Sequence, residues 1–218
     1  MIVDSMLNSR IQKQLSDGSV WTGPNLTHPH DGLLQAVRSA GSQRPAFVEA
    51  IRQRLGSTDR RQRTGAVALL REILPDIGAD RALAALHSVP LDPGVTPAWR
   101  IDHADLEQSA AVALAGHLTA EDTNTLAWLK QLVTGRPYRV FLLGAIARVD
   151  PDWLLANAAL VSHRNLAVLA ALPEPKRAAL IAALAPWPPE SPSVLTRAFW
   201  KRIPPAEATR LRSLMWLE

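Results

Sequence analysis

Apolar residues recur along this chain with a helical period, and the breaks between the runs share a pattern. Four breaks join an apolar residue to helix-starting chemistry: Leu118-Thr-Ala-Glu-Asp, Val149-Asp-Pro-Asp, Leu172-Pro-Glu-Pro and Ile203-Pro-Pro-Ala, at separations of 31, 23 and 31 residues. Proline suits a first helical turn because its missing N–H has no partner there, and an Asp or Thr oxygen accepts from the free amides of that turn. A new apolar run of helical period comes after each break. The spacing predicts helices in antiparallel pairs.

Residues 1–29 read as a partly irregular N-terminal segment: Met6 to Leu15 has the pattern of a short helix, and Asp17-Gly18, Gly23-Pro24 and His28-Pro29 punctuate the rest of the segment. Residues 30–218 are expected to form a single helical-repeat domain. Leu33, Leu34 and Val37, then Phe47, Val48, Ile51 and Leu55, give two apolar faces around Gly41-Ser-Gln. A second pair is predicted to start near Ser57 or Thr58, to bury Val67, Leu70, Ile73 and Leu74, and to end at Pro75 and Gly78. Ala79 to His87 is its partner. Three prolines and a glycine between Val89 and Ile101 argue against regular helix, so 88–101 reads as a Pro-rich insertion.

Helical order is expected to resume at Asp102, as the cap of a helix carrying Leu106, Ala110, Ala113, Leu114 and His117 on one stripe. The next is predicted to start at Thr119, with Asp122 in capping-box-like spacing and Leu126, Leu129, Leu132 and Val133 as its face. After Gly135-Arg-Pro, residues Tyr138, Phe141, Leu142, Ala145, Ile146 and Val149 match one buried helical stripe at every position. Asp150 then caps a helix opened by Pro151. Trp153 to Val161 is apolar nearly all round, which predicts a segment sandwiched between neighbours. Leu166 and Leu169 pair with Leu180, Ile181 and Leu184, and Ser191-Pro192 opens a last pair that sets Leu195, Ala198, Phe199 and Ile203 against Ala208, Leu211 and Met215. The expected fold is all-α, an α-solenoid of about six antiparallel helical hairpins.

The run Arg63-Thr-Gly-Ala-Val-Ala-Leu-Leu-Arg-Glu-Ile-Leu-Pro-Asp-Ile-Gly78 resembles the first helix and turn of a HEAT-type repeat, particularly the short variety of phycobilisome-lyase-like bacterial proteins. The similarity covers about residues 57–87 and 102–218. It implies a scaffold geometry only, since such repeats serve binding proteins and enzymes alike.

At 218 residues, 47% hydrophobic and 20% charged, the chain has a globular composition. It has no cysteine, which removes disulfides, thiolate metal sites and a cysteine nucleophile. Neither a signal-peptide pattern at Met1 to Arg10 nor a membrane-length apolar run is present, and the expectation is a soluble cytoplasmic protein with no membrane partner. The formal charge of +4 is unevenly placed: Arg44 to Arg71 holds seven arginines and two acids, and Arg197 to Arg212 five basic residues and one acid.

Candidate chemistry is sparse. His28, His30 and Asp31 lie close enough in sequence for a metal site, but they also make a polar loop leading to a helix cap. Asp102, His103, Asp105 and Glu107 resemble an acid/base cluster, though acids in a first helical turn are what the helix dipole favours. His117 sits on an apolar stripe, as a core or groove residue would. No nucleophile triad, phosphate-cradling glycine loop or HExxH helix is present, so no catalytic residue, cofactor or metal is assigned. Trp128, Trp153, Trp187, Trp200 and Trp216 read as packing residues between hairpins. Trp99 and Arg100 stand in the Pro-rich insertion and are of the types enriched at binding hot spots. Arg52 and Arg54 end one predicted helix and Arg60, Arg61 and Arg63 begin the next, which would bring five guanidinium groups to one edge.

These features favour a non-catalytic interaction module or scaffold for a protein partner, with Trp99, Arg100 and the five-arginine edge as candidate contacts. The alternative is a DNA-binding HEAT-like protein, similar to the HEAT-like DNA glycosylases, gripping duplex through that edge. No catalytic residue of those enzymes is matched in this chain.

Overall fold

The computed structural model describes residues 31–89, 100–135, 141–162, 165–184 and 203–214. Among them the chain is all-helical, with eleven α-helices, short 3-10 turns and no strand. No helix among the described residues is long and apolar enough to cross a membrane. Residues 1–30, the insertion residues 90–99, Tyr138, and Ser191, Pro192, Leu195, Ala198, Phe199 and Met215 of the expected last pair lie outside the described residues. The chain divides into two compact units: Met1–Leu118 with Asp122–Thr125, and Thr119–Glu121 with Leu126–Glu218.

The first unit contains α1 (Asp31–Arg38), α2 (Arg44–Leu55), α3 (Arg60–Ala68), α4 (Leu70–Ile77), α5 (Ala79–His87) and α6 (Arg100–Gly116). Helix α2 carries Pro45 in its first turn, where no donor is needed, and ends at Gly56. Its apolar stripe of Phe47, Val48, Ile51 and Leu55 is buried as the period predicts, and the helix packs on α3, α4 and α5. Ser57 Oγ accepts from Asp59 N at 3.1 Å and Asp59 Oδ1 accepts from Gln62 N at 3.4 Å, so the start of α3 is organised by Ser57 and Asp59 together.

Val67, Leu70, Ile73 and Leu74 are all buried, but a turn at Leu69 splits their run between α3 and α4. Pro75 does not end α4, which continues to Ile77; Gly78 does, at φ 75°, a backbone region that glycine enters without a Cβ penalty. Its N–H closes α4 on Leu74 O at 2.8 Å and its carbonyl accepts from Ala82 N of α5 at 3.2 Å. Helix α6 covers α3 and α4 with Ala110, Ala113 and Leu114 buried. It begins at Arg100, two residues before the expected cap at Asp102 and inside the expected insertion. Asp102 is thus in the first turn.

The second unit contains the body of α7 (Thr123–Gly135), α8 (Leu143–Val149), α9 (Pro151–Ala156), 3-10 turns at Ala158–Leu160 and Leu166–Ala171, α10 (Glu174–Ala183) and α11 (Pro205–Leu214). Asp150 caps α9 as expected, its Oδ1 accepting from Trp153 N at 3.0 Å. The segment Trp153 to Val161 is not the sandwiched helix the composition suggests. Helix α9 stops at Ala156, Trp153 and Leu155 are only half-buried, and Ala159 is exposed. The stripe predicted before it is also rotated: Phe141 is 46% exposed, while Leu142, Leu143, Ile146 and Ala147 form the buried face. Leu166, Leu169, Leu180, Ile181, Leu184, Ile203, Ala208 and Leu211 are buried as read from the sequence.

Ion pairs tie the short helices of this unit together. Lys130 Nζ donates to Asp150 Oδ2 at 2.6 Å and lies 5.5 Å from the centre of the Trp153 ring, joining α7 to the start of α9. Arg177 of α10 pairs with Glu207 of α11 at 2.7 Å, with side chains only 13% and 12% exposed.

Candidate functional site

Among the described residues of the first unit, α2 and α5 leave an open groove of about 660 Å³ between them. Helix α2 lines it with Glu49, Arg52, Gln53 and, just past its end, Gly56; helix α5 lines it with Arg81, Ala84, Ala85 and the following Ser88. Each set has the i, i+3, i+4, i+7 spacing of one helical stripe, and each α5 position stands 32 residues after its α2 counterpart. Ile77, at the end of α4, adds a half-buried apolar side chain. The core stripe of α5 (Ala79, Ala82, Leu83, Leu86) takes the other side of that helix. Small side chains and charged ones therefore line the groove together.

Gly56 sets the approach at one end. A Cβ there would stand 2.4 Å from Ser88 Oγ and 3.1 Å from the Ala85 carbonyl oxygen, so any other residue would require the Ser88 hydroxyl to turn away and the carbonyl to give slightly. At the rim, Arg52 donates through Nε (2.8 Å) and Nη2 (2.6 Å) to the Glu49 carboxylate, which also accepts from Gln53 Nε2 at 3.0 Å. The hydrogen bond from Arg52, then that from Gln53, draws the Glu49 pKa down to about 2. The Glu49–Arg52 pair is a charged but self-neutralised edge. Across the groove, exposed Arg81 makes no ion pair or hydrogen bond among the described residues.

The five arginines expected at one edge are not equivalent. Arg52 is committed to Glu49, and Arg54 is half-buried in the last turn of α2. Arg60 and Arg61 lie in the first turn of α3, and their side chains are outside the described set. Arg63 is turned inward. It is 5% exposed, and its Nη2 donates to the carbonyls of Leu86, at the end of α5, and of Val89 at 2.8 Å. Burial holds its pKa below the ordinary arginine value, yet a guanidinium remains charged and favours the negative end of a helix. Arg63 thus works as the C-terminal cap of α5.

Trp99 lies outside the described residues, and Arg100 opens α6 with an undescribed side chain. His28 and His30 are likewise outside, while Asp31 begins α1; the side chains of Asp31, Asp102, His103 and Asp105 are undescribed. Glu107 is half-buried, and His117 is exposed just beyond the end of α6 rather than on its core stripe. No group of three His, Cys, Asp or Glu among the described residues is placed to hold a metal ion. Trp187, Trp200 and Trp216 are outside the description, Trp128 and Trp153 half-buried.

Sequence reasoning reached Arg52 but missed Arg81 and the small-residue stripe beside it. The signal was available: Ala84 and Ala85 fall opposite the core stripe of α5, where long polar side chains are usual. No family model, no curated protein and no solved structure matches this chain.

Proposed function

We propose that the chain is a non-catalytic helical interaction module, its helix pairs stacked as a HEAT-like solenoid, that receives a segment of a protein partner in the α2–α5 groove. The observation that carries this reading is the groove itself: an open volume of about 660 Å³ lined by Ala84, Ala85 and Ile77 together with Glu49, Arg52, Gln53 and Arg81. Apolar and polar groups side by side are what a recognition surface offers a partner. The equal stripe spacing on α2 and α5 supports the repeat reading, because stacked helix pairs present corresponding positions to one surface. The duplex-DNA reading draws less support, since Arg63 is consumed inside the fold and Arg52 by Glu49.

The test is site-specific photocrosslinking in cells that make the protein natively. A photoreactive residue in place of Gln53 should give a discrete protein adduct, and Ala84→Trp, which puts a bulky side chain into the groove, should abolish it while leaving the circular dichroism spectrum unchanged. An adduct to nucleic acid, or a protein adduct indifferent to Ala84→Trp, refutes the reading.

A further inference from the structure

We infer that the segment taken up by the groove is acidic: a short peptide of the partner whose Asp or Glu side chain is bound by Arg81, with apolar residues flanking it against Ala84 and Ala85. This rests on the interaction-module reading above and names the chemistry of its partner. The charges that face the groove decide the sign. Glu49 accepts three hydrogen bonds from Arg52 and Gln53 and is balanced by Arg52, so it adds no net demand for a cation. Arg81 is balanced by nothing among the described residues and leaves the groove with a net positive charge.

A guanidinium presents paired donors in the geometry of a carboxylate, and its planar fork means that less freedom is lost per hydrogen bond formed than with an ammonium group. Arg52, which lines the same groove, retains N–H donors beyond the two that Glu49 uses. A basic residue on the incoming segment would meet Arg81 with like charge.

The experiment is selection of a phage-displayed random nonapeptide library on the immobilised full chain, with fluorescence anisotropy of the enriched peptides. The expected consensus contains one Asp or Glu. Arg81→Glu, a change at an exposed position, should weaken that peptide at least about tenfold, as loss of a charge-paired anchor does, and an Arg or Lys in place of the peptide acid should restore binding to the Arg81→Glu protein. Enriched peptides without an acid, still blocked by Ala84→Trp, would overturn the acidic assignment and leave the groove reading standing. Peptides indifferent to both substitutions, or no enrichment at all, would overturn both.

Discussion

Asp80 and Asp122 exchange helix caps, and the way each uses its oxygens gives a prediction that few other arrangements would. Asp80, in the first turn of α5, accepts from Thr125 N at 2.7 Å through Oδ1 and from Asn124 N (3.1 Å) and Nδ2 (3.0 Å) through Oδ2. Asp122, just before α7, accepts from Ala79 N at 3.2 Å and Asp80 N at 3.3 Å, both through Oδ1. Each carboxylate thus satisfies the free amides at the start of the other's helix. Ala79 and Thr125 are buried, so water cannot easily replace a lost acceptor.

Removing a capping side chain costs about 0.5–2 kcal/mol, and leaving partly buried amides unmet moves the cost toward or beyond the top of that range. Asp80→Ala should therefore lose about 2–3 kcal/mol, and Asp122→Ala, with longer bonds, about 1–2 kcal/mol. Asparagine separates the two sites. Asp122→Asn can keep Oδ1 as the acceptor for Ala79 N and Asp80 N and should lose less than Asp122→Ala. Asp80→Asn must turn an NH2 toward either Thr125 N–H or the Asn124 donors and should lose most of what alanine loses. Because both caps hold the same pair of helix ends, the double alanine variant should lose less than the sum, with a coupling of about 0.5–3 kcal/mol.

Urea unfolding by circular dichroism gives these differences, and hydrogen exchange at Ala79, Asp80, Asn124 and Thr125 localises them. Burial raises the Asp80 pKa, but hydrogen bonds from Thr125 and Asn124 outweigh it and hold the group below its ordinary value. A depressed carboxylate stabilises above its unfolded pKa of about 3.9 and loses that contribution as pH falls through the folded value. Wild type should lose this stability below about pH 4, and Asp80→Ala should lack that component of the acid transition. Strict additivity in the double alanine variant, or unchanged exchange at Thr125 in Asp80→Ala and at Ala79 in Asp122→Ala, would refute the cap exchange.

Two further changes test how the groove helices are set. Gly56→Ala should destabilise by about 1–2 kcal/mol, although its φ of −92° would accept any residue, because the Cβ displaces the Ser88 hydroxyl and crowds the Ala85 carbonyl; thermal melts should show the cost shrinking in a Ser88→Ala background, and an undiminished cost would sink the steric account. Arg63→Met should cost about 2–3 kcal/mol by leaving the Leu86 and Val89 carbonyls without their cationic donor, seen as a lower urea midpoint, and a change within about 0.5 kcal/mol would place Arg63 at the surface after all.

Local order was legible where a helix is long enough for its phase to be set by several apolar residues. Phe47, Val48, Ile51 and Leu55 span more than two turns, and one burial phase satisfies them all. Phe141 to Val149 fails because a 3-10 turn precedes α8, whose seven residues begin only at Leu143; the changed twist rotates Phe141 out and Leu143 in. Trp153 to Val161 fails for a related reason. Asn157 interrupts it, its Nδ2 donating to Trp153 O at 2.8 Å, a side-chain bond that competes with continued helix. The cap exchange between Asp80 and Asp122 was out of reach, because both acids stand near the start of their own helices and only the fold shows that each serves a helix more than forty residues away.

Charge shows the same division between what a sequence counts and what a surface offers. The seven arginines between Arg44 and Arg71 suggest a basic edge. Arg44, however, pairs with Asp76 at 2.6 Å and donates to the carbonyls of Val37 and Glu72, Arg52 holds Glu49, and Arg63 closes the end of α5. The burial of Arg63 is explained by its position, since Arg63, Ala66, Val67 and Leu70 stand at i, i+3, i+4 and i+7, the last three on the core stripe. An arginine in phase with a core stripe is expected to cap or brace, and one opposite it to stay at the surface. Arg71 of α4 and Arg81 of α5 both meet the second description, but of the two only Arg81 lines the groove, three residues before the exposed Ala84 and out of phase with Ala79, Ala82, Leu83 and Leu86, even though it lies outside the arginine-rich run that the composition brings forward.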